Sequence, residues 1–157
     1  MKVVKTLTIS LTIPTGYEID FLDKEAKEIK LKEKQKNAMD HIKTDEDVLT
    51  DNGYTWSSFN EWCEGLFEYQ EADRFLSLLV KSLNGDWIPD FDNPNESKFE
   101  PRFIGGSSGF RFDGYGNWHS LSRLGSRFCF QKREHAEHAG TKFTKWYKLA
   151  IIQNKVL

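Results

Sequence analysis

A chain of 157 residues fits one domain, 1–157, which is long enough to bury roughly two-thirds of its unfolded surface. With 38% hydrophobic and 14% aromatic residues, the composition excludes a disordered chain, and 29% charged residues with a mean hydropathy of −0.62 argue against a membrane span. The two cysteines, Cys63 and Cys129, have apolar neighbours and are expected to be buried free thiols.

The net charge of −2 hides a strong asymmetry along the chain. Residues 1–100 hold 12 of the 22 Lys and Arg but 21 of the 24 Asp and Glu, which gives −9, so residues 101–157 carry +7. Residues 44–73, the acidic tract, contain no Lys or Arg. Such asymmetry indicates a charged partner, or else two halves that neutralise each other across the fold.

The N-terminal part predicts a β-hairpin. Apolar residues alternate with Thr and Ser from Leu7 to Ile13, the period of a half-buried strand, and Pro14 ends it. A second strand is expected at about 27–34, with Ile29 and Leu31 facing inward. Residues 34–54 then lose all periodicity, which indicates a flexible connection within the domain.

Two central helices follow. Thr55 can cap the first, whose apolar stripe contains Phe59, Trp62, Cys63 and Leu66. The second is expected from about Glu71 to Leu83, where the sequence Asn84-Gly85 supplies the stop.

Short aromatic runs separated by Gly and Ser occupy residues 101–132 and predict a small antiparallel β-meander, including a strand through Phe128 and Phe130. A final helix is expected over about Arg133 to Gln153. The sequence therefore predicts an α+β fold with an N-terminal β-hairpin, central helices, a small antiparallel β-meander and a C-terminal helix.

Residues 84–103 combine acidic spacing with prolines and aromatics. A calcium loop starting at Asp90 would have Pro94, Asn95 and Pro101 at three positions where the calcium-binding pattern requires other residues. A rigid connector packed against its neighbours is therefore favoured. His135 and His138 have a spacing that can hold a metal, but without a supporting motif they are interpreted as surface histidines. No motif surrounds a nucleophile with a base, so the sequence predicts no catalytic residue, metal or cofactor.

Two charged surfaces are candidates for binding. The first is an acidic surface for a protein partner: Asp45, Glu46, Asp47, Asp51, Glu61 and Glu64. The second is a basic surface for nucleic acid, interleaved with aromatics: Arg123, Arg127, Lys132, Arg133, Lys142, Lys145 and Lys148.

Several stretches resemble a group of small uncharacterised proteins from phages, prophages and mobile elements of Bacteroidota-type bacteria. The resemblance is carried by LTIPTGYEID with the lysine-rich stretch after it, TWSSF, NGDWIPDFDNPNESKFEPRF and GSRFCFQKREHAEHAGTKFTKWYK, and it departs at residues 34–54. It implies a phage or mobile-element source. The expected free thiols favour the cytoplasm, which with this source is that of a bacterial host cell. The resemblance also implies a role typical of such accessory proteins, which often bind host or phage proteins and include inhibitors of host defence nucleases.

The resulting functional hypothesis is a non-enzymatic accessory protein that binds a host or phage protein through its acidic surface, as an anti-CRISPR protein would. One alternative is a nucleic-acid-binding protein that uses the basic C-terminal third. Another is a virion protein or other phage structural or interaction protein.

Overall fold

The computed structural model describes residues 12–15, 17–23, 28–33, 37–107, 109–119 and 126–152. The chain divides into two compact units, Met1–Lys36 and Asn37–Leu157. The single domain expected from the sequence stays a prediction.

The first unit contains an antiparallel hairpin of β1, Tyr17–Asp23, and β2, Glu28–Glu33, with a register irregularity between Ile19 and Phe21. The predicted second strand is confirmed, but its partner is β1 instead of the expected strand Leu7–Ile13. Ile29 and Leu31 are 40% and 38% exposed instead of facing inward. An isolated two-stranded hairpin offers little surface against which either of its faces could be buried. Most of the predicted strand Leu7–Ile13 lies outside the described residues. Its last two residues, 12 and 13, are described and are not in a strand.

The second unit is mainly helical. Its described helices are α1, Ala38–His41; α2, Asp45–Asp51; α3, Trp56–Cys63; α4, Glu68–Asn84; α5, Arg133–Lys142; and α6, Thr144–Ile151. A two-stranded antiparallel sheet consists of β3, Lys98–Ile104, and β4, Arg111–Trp118, and a short 3-10 helix spans Ser126–Phe128.

Local chemistry explains where the central helices begin and end. Thr55 caps α3, as predicted, because its Oγ1 accepts a hydrogen bond from the backbone N–H of Ser58. Gly85 follows α4 with φ of 60°, a backbone conformation that favours glycine. Apolar periodicity does not predict α1 and α2. Residues 37–54 were expected to form a loose connection, yet they include the buried side chains Ile42, Val48 and Leu49.

An aromatic cluster around α4 forms the centre of the core. Phe75 of α4 stacks on Trp146 of α6, with ring centroids 4.1 Å apart. Phe59 of α3 meets both rings edge-on, at 6.1 and 6.3 Å. All three side chains are buried, so α3, α4 and α6 share one hydrophobic core.

The sheet packs against α5. A Cβ atom at Gly140 would lie 2.3 Å from the ring of Phe112, so the absence of a side chain permits this close approach. The expected strand through Phe128 and Phe130 is reduced to a single bridge between Phe130 and Phe99. The expected C-terminal helix is interrupted at Phe143, which separates α5 from α6.

Helices and small antiparallel sheets in this order confirm the α+β prediction. None of the helices in the described ranges combines the length and the apolar composition that crossing a membrane requires.

Candidate functional site

Three of the six predicted acidic site residues take part in interactions within the chain. The Asp45 carboxylate pairs with the Lys145 ammonium group. Asp51 lies 3.7 Å from Nε2 of His41. Asp47 caps its own helix by accepting hydrogen bonds from the backbone N–H groups of Lys43 and Thr44, at 2.9 and 2.8 Å.

The hydrogen bonds to Asp47 also affect its protonation. The backbone N–H of Lys43 is the main cause that holds the pKa of the Asp47 carboxyl below its usual value, with Thr44 adding to the effect. Asp47 therefore remains charged to stabilise the start of α2, and it is less suited to contact a partner.

The other three predicted acidic residues are exposed: Glu46 in the first turn of α2, Glu61 on α3 and Glu64 directly after α3. None of them has an ion-pair partner among the residues that the structure describes. Their charges are available to an external cation.

Exposed aromatic side chains occur in the same segment of the chain as Glu61 and Glu64. Trp56 and Trp62 on α3 are 37% and 40% exposed, and Phe67, before α4, is 57% exposed. The prediction that Trp62 belongs to the apolar stripe is wrong, because Phe59 and Cys63 are the buried residues of this short helix.

Two neighbours hold Trp62 in place. Tyr54 stacks on its indole with centroids 5.3 Å apart, and the Arg74 guanidinium carbon lies 4.4 Å from the ring centroid. Arg74 also donates a hydrogen bond to the backbone carbonyl of Trp62. A large side chain that is both exposed and held in place loses little conformational entropy when a partner covers it.

We call the combination of Trp56, Glu61, Trp62 and Glu64 the acidic-aromatic face. Its glutamates are among the predicted site residues, but its tryptophans are not. Six positions place the two tryptophans about 120° apart around the helix, so they lie at opposite edges of the stripe that contains Phe59 and Cys63.

The predicted basic residues are partly neutralised inside the second unit. Arg127 pairs with Asp73 at 2.7 Å, Arg133 pairs with Glu137 at 3.0 Å, and Lys145 pairs with Asp45 as noted above. The remaining members that the structure describes are exposed and lack an ion pair: Lys132, Lys142 and Lys148. Arg123 lies outside the described residues.

Aromatic groups for base stacking are scarce in this basic third. Phe130, Trp146 and Tyr147 are buried, and the half-buried ring of Phe128 is already contacted by the Arg127 guanidinium at 4.5 Å. Binding of single-stranded nucleic acid usually relies on exposed aromatic rings. The basic surface therefore offers charge without the stacking groups that the sequence suggested.

Glu96 organises the loop that begins after α4. Its carboxylate accepts hydrogen bonds from Nε1 of the half-buried Trp87 at 3.1 Å and from the backbone N–H of Asp90 at 2.7 Å. It also pairs at 2.9 Å with Lys98, whose side chain is fully buried. Residues 84–103 thus form a connector tied together internally, as the sequence favoured.

The thiols are buried and free, as predicted, and burial raises the pKa of Cys129 to about 11.

The prediction that His135 and His138 are surface residues is wrong. His135 is buried, and half-buried His138 donates from Nε2 to the carbonyl oxygen of Ile42 at 2.5 Å. Within the described ranges, no three His, Cys, Asp or Glu side chains are grouped as a metal site would require.

Comparisons with protein-family models, curated proteins and solved structures give no match.

Proposed function

We propose that this protein is a non-enzymatic protein-binding module that docks its acidic-aromatic face on a basic surface of a partner protein. The observation that supports this proposal is that Trp56 and Trp62 of α3 are exposed, together with Glu61 and Glu64 of the same segment, whose charges are not paired among the described residues.

The chemistry of the face determines the kind of partner. Tryptophan is enriched at the residues that dominate interface energies, and Trp62 is already held by Tyr54 and Arg74. The glutamates favour a partner surface lined with Lys and Arg. Electrostatic attraction between the two surfaces accelerates their association. The partner is therefore a protein with a basic surface that also presents apolar or cationic groups to the indoles.

A basic groove that ordinarily holds nucleic acid has these properties, and an acidic protein bound there would exclude the nucleic acid electrostatically. The resemblance to phage and mobile-element proteins supports such a partner inside a bacterial host. We accordingly propose a phage or mobile-element accessory protein that inhibits a host defence nuclease, acting in the host cytoplasm.

Capture by the tagged protein from a nuclease-treated host lysate, followed by titration against the purified captured protein, tests this function. Binding should weaken as salt rises and should be displaced by the polyanion heparin. Trp62→Ala should weaken it, and the double reversal Glu61→Lys with Glu64→Lys should abolish it.

The matched control is Lys142→Glu with Lys148→Glu, which reverses two exposed charges elsewhere in the same unit. Thermal melting of each variant separates lost binding from lost folding. Binding that survives both changes in the acidic-aromatic face but disappears in the lysine control, or after nuclease treatment, would contradict the proposal.

A further inference from the structure

A surface cleft in the second unit is a candidate site for a small molecule. Its volume is about 570 Å³, and it is bounded by α4, β3, α6 and the 3-10 helix Ser126–Phe128. Its lining residues all lie outside the acidic-aromatic face. Cavities of about 300–1,000 Å³ with mostly apolar walls and a few polar groups are typical small-molecule sites. The cleft has this size and this composition.

Aromatic rings form much of the wall of the cleft. Phe103 on β3 and Tyr147 on α6 pack against each other with centroids 4.8 Å apart. Tyr69 and Phe128 add two more rings, and both are half-buried, as is Phe103, so part of each ring stays uncovered. Stacking between aromatic rings adds to the free energy gained from burying their area. The wall therefore favours a ligand that is itself aromatic and planar.

Glu100 contributes to the lining, but its carboxylate does not face the aromatic wall. Oε1 of Glu100 and Nε of Arg102 each lie 3.0 Å from the position that a Cβ atom at Gly116 would take, so the carboxylate lies beside the guanidinium. Residues alternate between the two faces of a strand, and Pro101 and Phe103 of the wall belong to the opposite face of the sheet. A ligand at the wall therefore meets no unneutralised carboxylate from β3.

An ion pair supplies the charged groups that do face the cleft. Tyr69, Asp73 and Leu76 have the spacing i, i+4 and i+7, so they share the side of α4 that lines the cleft. Oδ2 of Asp73 accepts a hydrogen bond from Nη2 of Arg127 at 2.7 Å, and the two charges neutralise each other. Oδ1 of Asp73 and Nη1 of Arg127 have no hydrogen-bond partner among the described residues. One acceptor and one donor therefore remain side by side, without net charge.

We propose that this cleft binds a neutral, planar aromatic molecule whose polar edge carries an N–H donor beside a carbonyl acceptor, as in an aromatic lactam. The ring system packs against the aromatic wall, the N–H donates to Asp73, and the carbonyl oxygen accepts from Arg127. A charged molecule of the same shape is disfavoured, because the cleft has no free countercharge for a group that loses its water on binding. This inference does not depend on the proposed protein-binding function.

Four probes of similar shape test this ligand class. The lactam 2-quinolinone has the donor and the acceptor, its N-methyl analogue lacks the donor, and 2-naphthoate and 2-naphthylmethylamine carry opposite charges. Each is titrated into the protein by calorimetry, and amide chemical shifts map where it binds. We expect shifts concentrated at the lining residues, and 2-quinolinone binding about tenfold tighter than its N-methyl analogue, the ratio that one hydrogen bond to a charged group provides. Both charged probes should bind more weakly than 2-quinolinone.

An alanine variant with a matched control locates the polar contact. Asp73→Ala removes the acceptor for the lactam N–H, so 2-quinolinone should bind no more tightly than its N-methyl analogue. The same variant leaves Arg127 unpaired, so 2-naphthoate should bind more tightly than it does to the wild-type protein. Glu137→Ala removes a carboxylate of similar exposure, paired with Arg133 outside the cleft, and should leave all four affinities unchanged.

A cleft-filling variant tests the location of binding. Ala150→Trp should occupy the cleft and remove binding of all four probes. If this variant does not fold, the Asp73 comparison still decides the result.

Absence of saturable binding by 2-quinolinone, or shifts outside the cleft, would overturn the site. Equal affinity for 2-quinolinone and its N-methyl analogue in the wild-type protein, or a difference that Asp73→Ala leaves intact, would overturn the assignment of the polar edge. Tighter binding of either charged probe than of 2-quinolinone to the wild-type protein would overturn the preference for a neutral ligand.

Discussion

Lys145 on α6 forms an ion pair with Asp45, the first residue of α2. Arg127 and Asp73 make a second such link. Both join the basic C-terminal third to the acidic tract, so part of the charge asymmetry seen in the sequence is neutralised within the fold. The asymmetry of the chain therefore overstates the charge available to a partner.

The Asp45–Lys145 pair is expected to make only a small contribution to stability. Because the Lys145 side chain is 61% exposed, we expect a coupling free energy of about 0.2–1 kcal/mol that decreases with added salt. A double-mutant cycle of Asp45→Asn and Lys145→Gln, followed by urea unfolding, measures it. Glu46→Gln is the matched control, since Glu46 occupies the same first turn, and it should show no coupling to Lys145→Gln.

Removing the charge of Glu96 should lower the free energy of unfolding much more than breaking the Asp45–Lys145 pair. Glu96→Gln leaves the buried Lys98 ammonium without its counter-ion, and we expect a loss of about 2 kcal/mol or more in unfolding free energy. Adding Lys98→Met should restore much of this loss, because the unpaired buried charge is then gone. A Glu96→Gln protein with wild-type stability would contradict this role of the ion pair.

Acid should weaken the same pair. The hydrogen bond with Lys98 is the main cause that lowers the pKa of the Glu96 carboxyl below its usual 4.5. The folded protein therefore holds the proton less tightly than the unfolded chain, so this stabilisation is present above about pH 4.5 and is lost as the pH falls through the folded-state pKa. When the pH is lowered, the free energy of unfolding should therefore decrease less in the Glu96→Gln variant than in the wild-type protein.

His135 should make the protein sensitive to mild acid. Burial, with Lys132 adding to it, lowers the pKa of His135 below 6.5, so the unfolded chain takes up a proton that the folded protein resists. Stability should thus be highest above about pH 6.5 and should fall as the pH drops below it. His135→Gln should flatten this decline in urea unfolding series, whereas His119→Gln, at an exposed histidine, should not. If stability declines as steeply with falling pH in the His135→Gln variant, other groups cause the acid sensitivity.

Tyr147 has a buried hydroxyl without a hydrogen-bond partner among the described residues, and burial raises its pKa. Since an unsatisfied buried polar group costs about 1–3 kcal/mol, Tyr147→Phe should leave the unfolding free energy unchanged or raise it by about 1 kcal/mol. Tyr147→Leu is the contrasting variant, which should be destabilised because it loses ring packing against Phe103. A clear loss of stability in Tyr147→Phe would mean that the hydroxyl makes a favourable interaction.

The elements that the sequence predicted well depend on local chemistry. The Thr55 cap and the stop at Gly85 act within one helical turn, so they are readable without knowledge of the fold. The helix α2 was missed although Thr44 and Asp47 form a capping box, because the interpretation relied on apolar periodicity, which a seven-residue acidic helix barely shows. Phe143, at which the expected final helix breaks, is neither Gly nor Pro, so its residue type does not indicate the break.

The candidate site was less predictable because it depends on which residues meet in space. No sequence pattern indicates that Lys145 pairs with Asp45, or that Arg74 contacts the indole of Trp62. The glutamates of the acidic-aromatic face were identified from charge alone. The exposure of its tryptophans became evident only when packing had assigned the inner side of α3 to Phe59 and Cys63.

The stacking of Trp146 on Phe75 has a consequence for how the chain is made on the ribosome. The helix α4 emerges long before α6, so the Phe75 ring lacks the stacking of Trp146 while the sheet and α5 are still being synthesised. Cooperative folding of the second unit must therefore await the C-terminal helix, because contacts distant in sequence form the middle of the core. During that interval the nascent chain presents an apolar helix face suited to capture by chaperones.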